Sequence, residues 1–515
     1  MTDLRQLHFR FRTDAGTADA APTWGAGEDV NYYPGTANFR LRIGLRNAST
    51  VVAATPWELY VSRNGDAYTP VTTTIAKGVQ SVDAGASADD TAVLIPRLYP
   101  FSPDWELSEA AVDLDFAGSR IYPGGQFTDY LSISRASTGY AKTVGGALTS
   151  FGTNTLRITD AGLLCEDART NDLTHSQDLS TWSVFNLTAT DNSLAAPDGT
   201  TTADLLNEGT ATNIHELDRT TSSLIGTTQI TLSAYVRAGT GNFFKLAPGV
   251  TAVDYIVAIF DLSNGTVSQT GTGPTSGTIT GSGIEALGSG WYRCWVSGTT
   301  TSGNPWVATV GMVPTATGNS IGGGGGVSYT GASKTTYCWG VQLEAGSFPS
   351  SYIPTTTVAA TRATDVVQCI STLATILTNT TYSVVSDAIL PDLPLGSSRW
   401  TTLTEGGAGE NEVLDYSISD NSVSTRLGPG GTAVAGNSQK PSTGMKSGFA
   451  KDASSQSLVA GGGTVNAMGS TQTIASAYLI QASGAAAFRP FGYIRRFTAW
   501  NSRLDDATLD ALTAP

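Results

Sequence analysis

Leu7, Phe9 and Phe11 alternate with His8, Arg10 and Arg12, and Phe39, Leu41, Ile43 and Leu45 alternate with Arg40, Arg42, Gly44 and Arg46. A period of two gives each of these strands one apolar face and one strongly basic face. Trp57, Leu59 and Val61 continue the pattern up to Arg63-Asn64-Gly65-Asp66, whose Asn-Gly pair favours a tight hairpin turn. The alternation predicts a small antiparallel sandwich over residues 1–100. Its arginine-rich outer face either protects an edge against aggregation or docks an acidic partner subunit.

The same reading extends along the chain. Pro96, Pro100 and Pro103 mark a boundary, and Val112 to Phe116 reads as a strand leading into an extended connector over 101–170. Ile230, Leu232, Ala234 and Val236 alternate as a strand, and Tyr255 to Leu262 followed by Ser263-Asn264-Gly265 forms a second Asn-Gly hairpin. In Gly290-Trp-Tyr-Arg-Cys-Trp-Val296, Trp291, Arg293 and Trp295 share a face opposite Tyr292, Cys294 and Val296, and one of the two sets must be core. Tyr337 to Glu344 alternates as the last strand of a domain over 171–355, after which Pro349 and Pro354 break regular structure. A further β-rich domain spans 356–515. In its closing strand Tyr493, Arg495 and Phe497 share one face and Ile494, Arg496 and Thr498 the other, which places the strand near an edge. A short helix follows, with Asp505 as N-cap and Leu504 and Leu509 as a hydrophobic staple. The expected fold is all-β: three antiparallel sandwich or jelly-roll domains in a row, with a short C-terminal helix.

Composition narrows the function classes. At 515 residues the chain is too long for one core. Charged residues are 14 % of the sequence while glycine alone supplies 58 positions, which favours short strands and turns. Twenty-nine Lys and Arg against 43 Asp and Glu give a formal charge of −14, most of it between residues 101 and 360. With no basic stripe, nucleic-acid binding is disfavoured. Cys165, Cys294, Cys338 and Cys369 lack CxxC spacing and are expected as buried thiols. The N-terminus lacks the apolar core of a signal peptide, and no run of about 18 apolar residues occurs. The expectation is a soluble protein made in a cytoplasm.

Several phrases of the chain go together. Arg135-Ala-Ser137 is followed by Gly162-Leu-Leu-Cys-Glu-Asp-Ala-Arg-Thr-Asn171, then Trp182, Ala196-Pro-Asp-Gly199 and Gly290-Trp-Tyr-Arg293; the series closes on Trp339-Gly-Val-Gln-Leu-Glu344, Ser351-Tyr-Ile-Pro-Thr355 and Thr361-Arg-Ala-Thr-Asp365. In this order they resemble the carbohydrate-binding-module-like jelly roll of bacteriophage tail fibres and spikes. Gly492-Tyr-Ile494 with Arg503-Leu-Asp-Asp-Ala507 resembles the end of concanavalin-like or laminin-G-like jelly rolls. Phe9-Arg-Phe-Arg12 and Phe39-Arg-Leu-Arg42 resemble N-terminal modules of phage structural proteins. The resemblance implies a virion fibre or spike adhesin released on lysis, attached to another virion structural protein through its N-terminal domain and contacting host surface polysaccharide. It also implies trimers and a structural calcium near Asn171 and Glu344, which the residues themselves leave uncommitted. Membrane insertion is not expected. A polysaccharide-degrading tail spike and a purely structural decoration protein are the alternatives.

Candidate chemistry is sparse. His8, His175 and His215 have no HxxxH spacing, so no metal ligand set is identified and no cofactor is expected. Gly318-Asn-Ser-Ile-Gly322 matches GxSxG, but a nucleophile elbow needs a helix after it, and Gly322 to Gly326 is a poor helix start. Asp113/Asp115 and Glu410/Glu412 sit at strand spacing, which describes any solvated strand as well as a glycosidase pair. No catalytic residue is named, and the chain is expected not to be an enzyme. Sugar binding needs exposed aromatic faces beside polar groups. The residues expected to bind carbohydrate lie beside turns: Trp306 after Gly303-Asn304-Pro305, Trp400 with Arg399, and Tyr416 with Asp415.

Overall fold

The computed structural model describes residues 110–389, 446–459 and 492–514 in full, and elsewhere the backbone of the strands named below. The chain divides into two compact units, Met1–Ser108 and Glu109–Pro515. In the first, Leu4–Thr13 pairs antiparallel with Phe39–Asn47, with Phe9 opposite Ile43 and Arg10 opposite Arg42. Tyr60–Val61 pairs with Thr69–Pro70 on either side of the Asn64-Gly65 stretch. The side-chain faces expected there lie outside the described residues.

The second unit holds a jelly roll of two six-stranded antiparallel sheets. Its front sheet runs Ser183–Phe185, Glu216–Ile225, Pro305–Met312, Phe243–Leu246, Ile256–Asp261, Thr266–Thr272. The back sheet runs Leu187–Leu194, Ala203–Glu208, Thr335–Ala345, Ile230–Ala238, Trp291–Thr299, Thr278–Ala286. The predicted alternation is realised: Ile230, Leu232, Ala234 and Val236 face Phe244, Leu246, Ile256, Ala258 and Phe260 across one core. Gly265 turns the expected hairpin between Ile256–Asp261 and Thr266–Thr272 at φ 63°, a value glycine adopts freely. Cys294 and Val296 belong to this core. Trp291, on the opposite face, is buried by other means: the hairpin Gly139–Lys142/Leu148–Phe151 lies over it, joining Leu148 to Tyr235, Trp291, Trp339 and Tyr352 in a second apolar cluster.

Residues 110–170, expected as part of a connector, enter sheets instead. Val112–Asp115, Arg120–Tyr122, Ile158–Thr159 and Gly162–Glu166 enter the same nine-stranded sheet as Tyr382–Ile389, Met445–Lys451 and Phe491–Trp500, while Leu131–Ser134 enters a seven-stranded sheet beside Val366–Cys369. The C-terminal sandwich is therefore discontinuous in sequence, and the jelly roll is inserted into it rather than standing before it in a row. One core unites both segments, with Leu114, Leu163 and Cys165 against Val384, Ile494 and Phe497.

Phe491–Trp500 is also not an edge strand. It pairs with Gly162–Glu166, Tyr382–Ile389 and Val112–Asp115. Its register shifts opposite Asp387 and Ala388, and this bulge lets both Ile494 and Phe497 face the core, which strict alternation forbids. Arg495 and Arg496 are answered by acids of neighbouring strands, Asp387 at 2.7 Å and Asp113 at 2.8 Å. The helix Asp506–Thr513 is capped as expected, the Asp505 carboxylate accepting from the Thr508 amide at 2.8 Å, and Leu509 packs on Ala450 and Val459.

The neck between sandwich and jelly roll is closed by a buried ionic network. Arg169–Asn171, entering the jelly roll, pairs antiparallel with Ala360–Arg362, leaving it. The Asp365 amide donates to the Glu166 carbonyl at 2.9 Å, and the Glu166 amide donates to Asp365 Oδ2 at 2.9 Å. Arg135 Nη1 donates to Asp365 Oδ1 at 2.8 Å, and Arg157 bridges Asp365 and Glu166, reaching Glu166 Oε2 at 2.6 Å. Ser351, in the returning chain, donates its amide and hydroxyl to the same Glu166 carboxylate at 2.7 and 2.5 Å. Arg362 completes the cluster, its Nε 3.4 Å from Glu166 Oε2. All five charged side chains are essentially without solvent exposure.

Removing one partner of such a set strands a buried charge, so Asp365→Asn should lower unfolding free energy by about 3–5 kcal/mol in denaturant titration. Burial pushes the Glu166 carboxyl up, but Arg362, Arg157 and Ser351 outweigh it and hold it at about 2, against an ordinary 4.5. Folding thus favours the ionised form. Its contribution is complete above about pH 4.5 and is lost as pH falls toward 2, so the acid-side slope of stability against pH should flatten in Glu166→Gln.

Candidate functional site

Cross-strand register sets two transverse rows on the outer face of the front sheet. Phe185, Glu216, Gly311 and Lys245 form one, and Ser183, Asp218 and Thr309 the next. In the first row Lys245 is fully buried and reaches across the central strand to Glu216. A Cβ at position 311 would lie 2.6 Å from the His215 carbonyl and 3.1 Å from Lys245 Cε, so only glycine leaves the lysine room to cross. The ammonium also donates to the Gly325 carbonyl at 2.9 Å, which ties down the glycine-rich segment. Ile321, Val327 and Tyr329 pack with Val257 and Ile259, and this segment thereby covers one half of the sheet face. The GxSxG stretch is part of that cover; a single turn of glycines follows it, not the helix of a nucleophile elbow.

The other half is open. A groove of about 310 Å³ is lined by Asp172, Thr174, Ser183, Asp218, Arg219 and Thr220, with Ser222 at its end. Arg219 is half-buried and pre-positioned: Nε donates to Thr174 Oγ1 at 2.9 Å and Nη1 to the Thr181 carbonyl at 3.4 Å, with no carboxylate in ion-pair contact among the described residues. Asp218 accepts from the Thr309 hydroxyl at 2.7 Å. Burial raises its carboxyl above the ordinary range, and Glu216 adds to this while Thr309 and Lys245 oppose it. Asp172 is held the other way. Burial acts to raise it, but the hydroxyl and amide of Ser223, the Ser222 hydroxyl and the Leu224 amide lower it further. Phe185, two residues along the same edge strand from Ser183, is 41 % exposed. An acceptor, several hydroxyls and an open aromatic ring thus share the outer face, while Arg219, on the opposite face of its strand beside Ala308, borders the same groove.

The residues picked out in the sequence are placed elsewhere. Trp306 is fully buried in the jelly-roll core and has no face for a sugar. Its alternation with Ala308, Val310 and Met312 carries that information, and the preceding turn does not. Arg399–Glu405 and Glu412–Ser417 are neighbouring strands of the seven-stranded sheet, with Trp400 opposite Tyr416, Arg399 opposite Ser417 and Thr401 opposite Asp415. The side chains of Arg399, Trp400, Asp415 and Tyr416 lie outside the described residues. At the neck, Asn171 donates to the carbonyls of Val341 and Ile353 and accepts from the amides of Leu173 and Leu343, while Glu344 accepts from Ser350 and Gln342. Protein groups occupy both, and no cluster of three His, Cys, Asp or Glu side chains fit for a metal occurs among the described residues.

No protein-family model and no curated protein matches the chain. Among solved structures, Trypanosoma rangeli sialidase in complex with the inhibitor DANA aligns over 60 % of each chain at 11 % identity and a TM-score of 0.21, and the same sialidase in complex with sialic acid at 12 % and 0.23. Domains LG4-5 of the mouse laminin α1 chain align over 58 % of this chain and 88 % of theirs, at 11 % identity and a TM-score of 0.16. The chain spans about 60 % of the length of the sialidases it matches. These likenesses concern β architecture alone and transfer no reaction, substrate or residue. With sialidases among these neighbours, the expectation that the chain is not an enzyme is withdrawn, and no reaction is assigned in its place.

Since folding disfavours the ionised form of Asp218, this residue weakens the jelly roll at neutral pH, as groups kept for binding commonly do. The cost declines as pH falls below its raised folded pKa and is gone below the ordinary value of 3.8. Asp218→Asn keeps an acceptor for Thr309 and should raise the thermal midpoint at pH 7 by about 1–3 °C, read by calorimetry.

Proposed function

We propose that the protein is a glycan-binding component of a bacteriophage fibre or spike, with the front-sheet groove of the inserted jelly roll as its saccharide site. The observation that carries the reading is the pairing of Asp218 and Arg219 in an open groove with Phe185 beside it. A carboxylate acceptor and a guanidinium donor suit adjacent sugar hydroxyls, and an exposed ring suits the apolar face of a pyranose. The groove volume is of the order that holds a small ligand, about 300 Å³ upward. The particle address rests on the ordered phrases from Arg135 to Asp365 and their resemblance to phage fibres. In this reading the N-terminal unit attaches to another virion protein. The fibre is a trimer, whose repeated copies convert weak sugar contacts into firm adhesion to host surface polysaccharide.

The direct test is a glycan array probed with the full chain and with Asp218→Ala. Binding of a host polysaccharide by the parent chain that weakens at least about tenfold in the variant, with an unchanged circular dichroism spectrum, is the expected result. Equal binding by both chains removes the groove from the proposal. Mass spectrometry of purified particles checks the virion assignment.

A further inference from the structure

The outer face of the back sheet carries a different combination of groups, on the opposite side of the jelly-roll core. Trp291, Arg293 and Trp295 project from it along one strand, and the 139–151 hairpin covers only the Trp291 end. Trp295, beyond that cover, is half-buried. Its cross-strand neighbour on the edge strand is Gly283, where a Cβ would lie 2.5 Å from the indole Nε1 and 2.7 Å from Cε2. The absence of a side chain there lets the indole lie against the edge strand. The indole is thus packed along the edge strand and keeps part of its surface in solvent, where a sugar ring can stack.

Arg293 stands next to this platform. It is 8 % exposed, its Cζ lies 5.2 Å over the Tyr235 ring, Nη2 donates to Ser233 Oγ at 3.2 Å, and Nε has no hydrogen-bond partner. Its cross-strand neighbour Glu285 pairs with Lys142 of the covering hairpin instead. Arg237, on the same face opposite Trp291, is half-buried and likewise meets no carboxylate in ion-pair contact among the described residues. Acidic residues outnumber basic ones across this stretch of chain, so two arginines left without a carboxylate on one face stand out. A buried guanidinium lacking its counter-ion is costly, and a planar carboxylate matches it in charge and in fork geometry.

We infer that Trp295, Arg293 and Ser233 form a second saccharide site, independent of the front-sheet groove, which takes a hexuronic acid: the pyranose ring on Trp295 and its carboxylate at Arg293.

The test uses the full chain labelled with 5-fluorotryptophan, whose ten tryptophans give separate fluorine resonances, that of Trp295 being assigned by its loss in Trp295→Phe. Trigalacturonate is the probe, and its methyl ester, identical in ring but uncharged, is the control. The Trp295 resonance should shift with trigalacturonate, respond at least about tenfold more weakly to the ester, and lose affinity by a similar factor in Arg293→Gln. The other resonances report whether that variant is folded. Should it fail to fold, Trp295→Ala at the open rim substitutes, read by loss of saturation transfer to the sugar protons. The shift should persist in Asp218→Ala, which separates this site from the groove. A Trp295 resonance that stays in place at about 10 mM trigalacturonate, or responds equally to the ester, overturns the inference.

Discussion

Asp365 binds two arginines that precede the jelly roll to the chain emerging from it. Arg135 and Arg157 belong to the first segment of the C-terminal sandwich, Glu166 is the last residue of that segment's final strand, and Asp365 lies just past the exit. Charges this deeply buried are not an economical source of stability, because desolvation offsets most of their attraction. What they impose is geometry. Each carboxylate oxygen has an assigned donor, and the two bonds between residues 166 and 365, the Asp365 amide to the Glu166 carbonyl and the Glu166 amide to the Asp365 carboxylate, fix the two strands of the neck in one register. A one-residue slip would leave several buried charges unanswered at once.

This constraint carries the rest of the second unit. With the neck closed, the 139–151 hairpin lies on the back sheet. Tyr493 of the sandwich shares hydrogen bonds with the backbone of Lys142, and Arg157 donates to the Tyr140 carbonyl at 2.7 Å. The aromatic cluster of Tyr235, Trp291, Trp339 and Tyr352 is thereby internal, and the jelly roll is held at both neck and hairpin. Surface left over for ligands is decided by the same covers. The glycine-rich segment closes half of the front sheet and leaves the Asp218 groove, while the hairpin closes half of the back sheet and leaves Trp295.

What the sequence discloses follows from the range of each interaction. Alternation at Ile230 to Val236, the Asn264-Gly265 turn and the Asp505 cap are local, and each is legible. The phrases ending in Asn171, Thr355 and Asp365 are legible as phrases, but that they meet in one buried network depends on contacts some two hundred residues apart. The discontinuous sandwich is hidden for the same reason: nothing near Leu163 announces a partner at Ile494. Local rules also mislead where tertiary structure adds a residue or a cover. The bulge at Arg495 reverses the faces of the closing strand, and the hairpin buries Trp291 on a face that a two-layer sandwich leaves open. The groove residues escape notice because Asp218 and Arg219 carry no motif. Their significance is that folding leaves one destabilised and the other without a carboxylate partner.

That asymmetry separates the two kinds of charge in this protein. At the neck, acid and base answer one another and Glu166 is held far on its ionised side, so the charges serve architecture and resist protonation. On the jelly-roll faces, Asp218 is raised toward its neutral form, and Arg219 and Arg293 meet hydroxyls where a carboxylate would complete them. Folding alone does not account for an ionisable group at Asp218, because a neutral residue of the same shape there would leave the sheet more stable. In the proposed reading a ligand supplies the complement these groups lack, which puts recognition on the faces rather than at the neck.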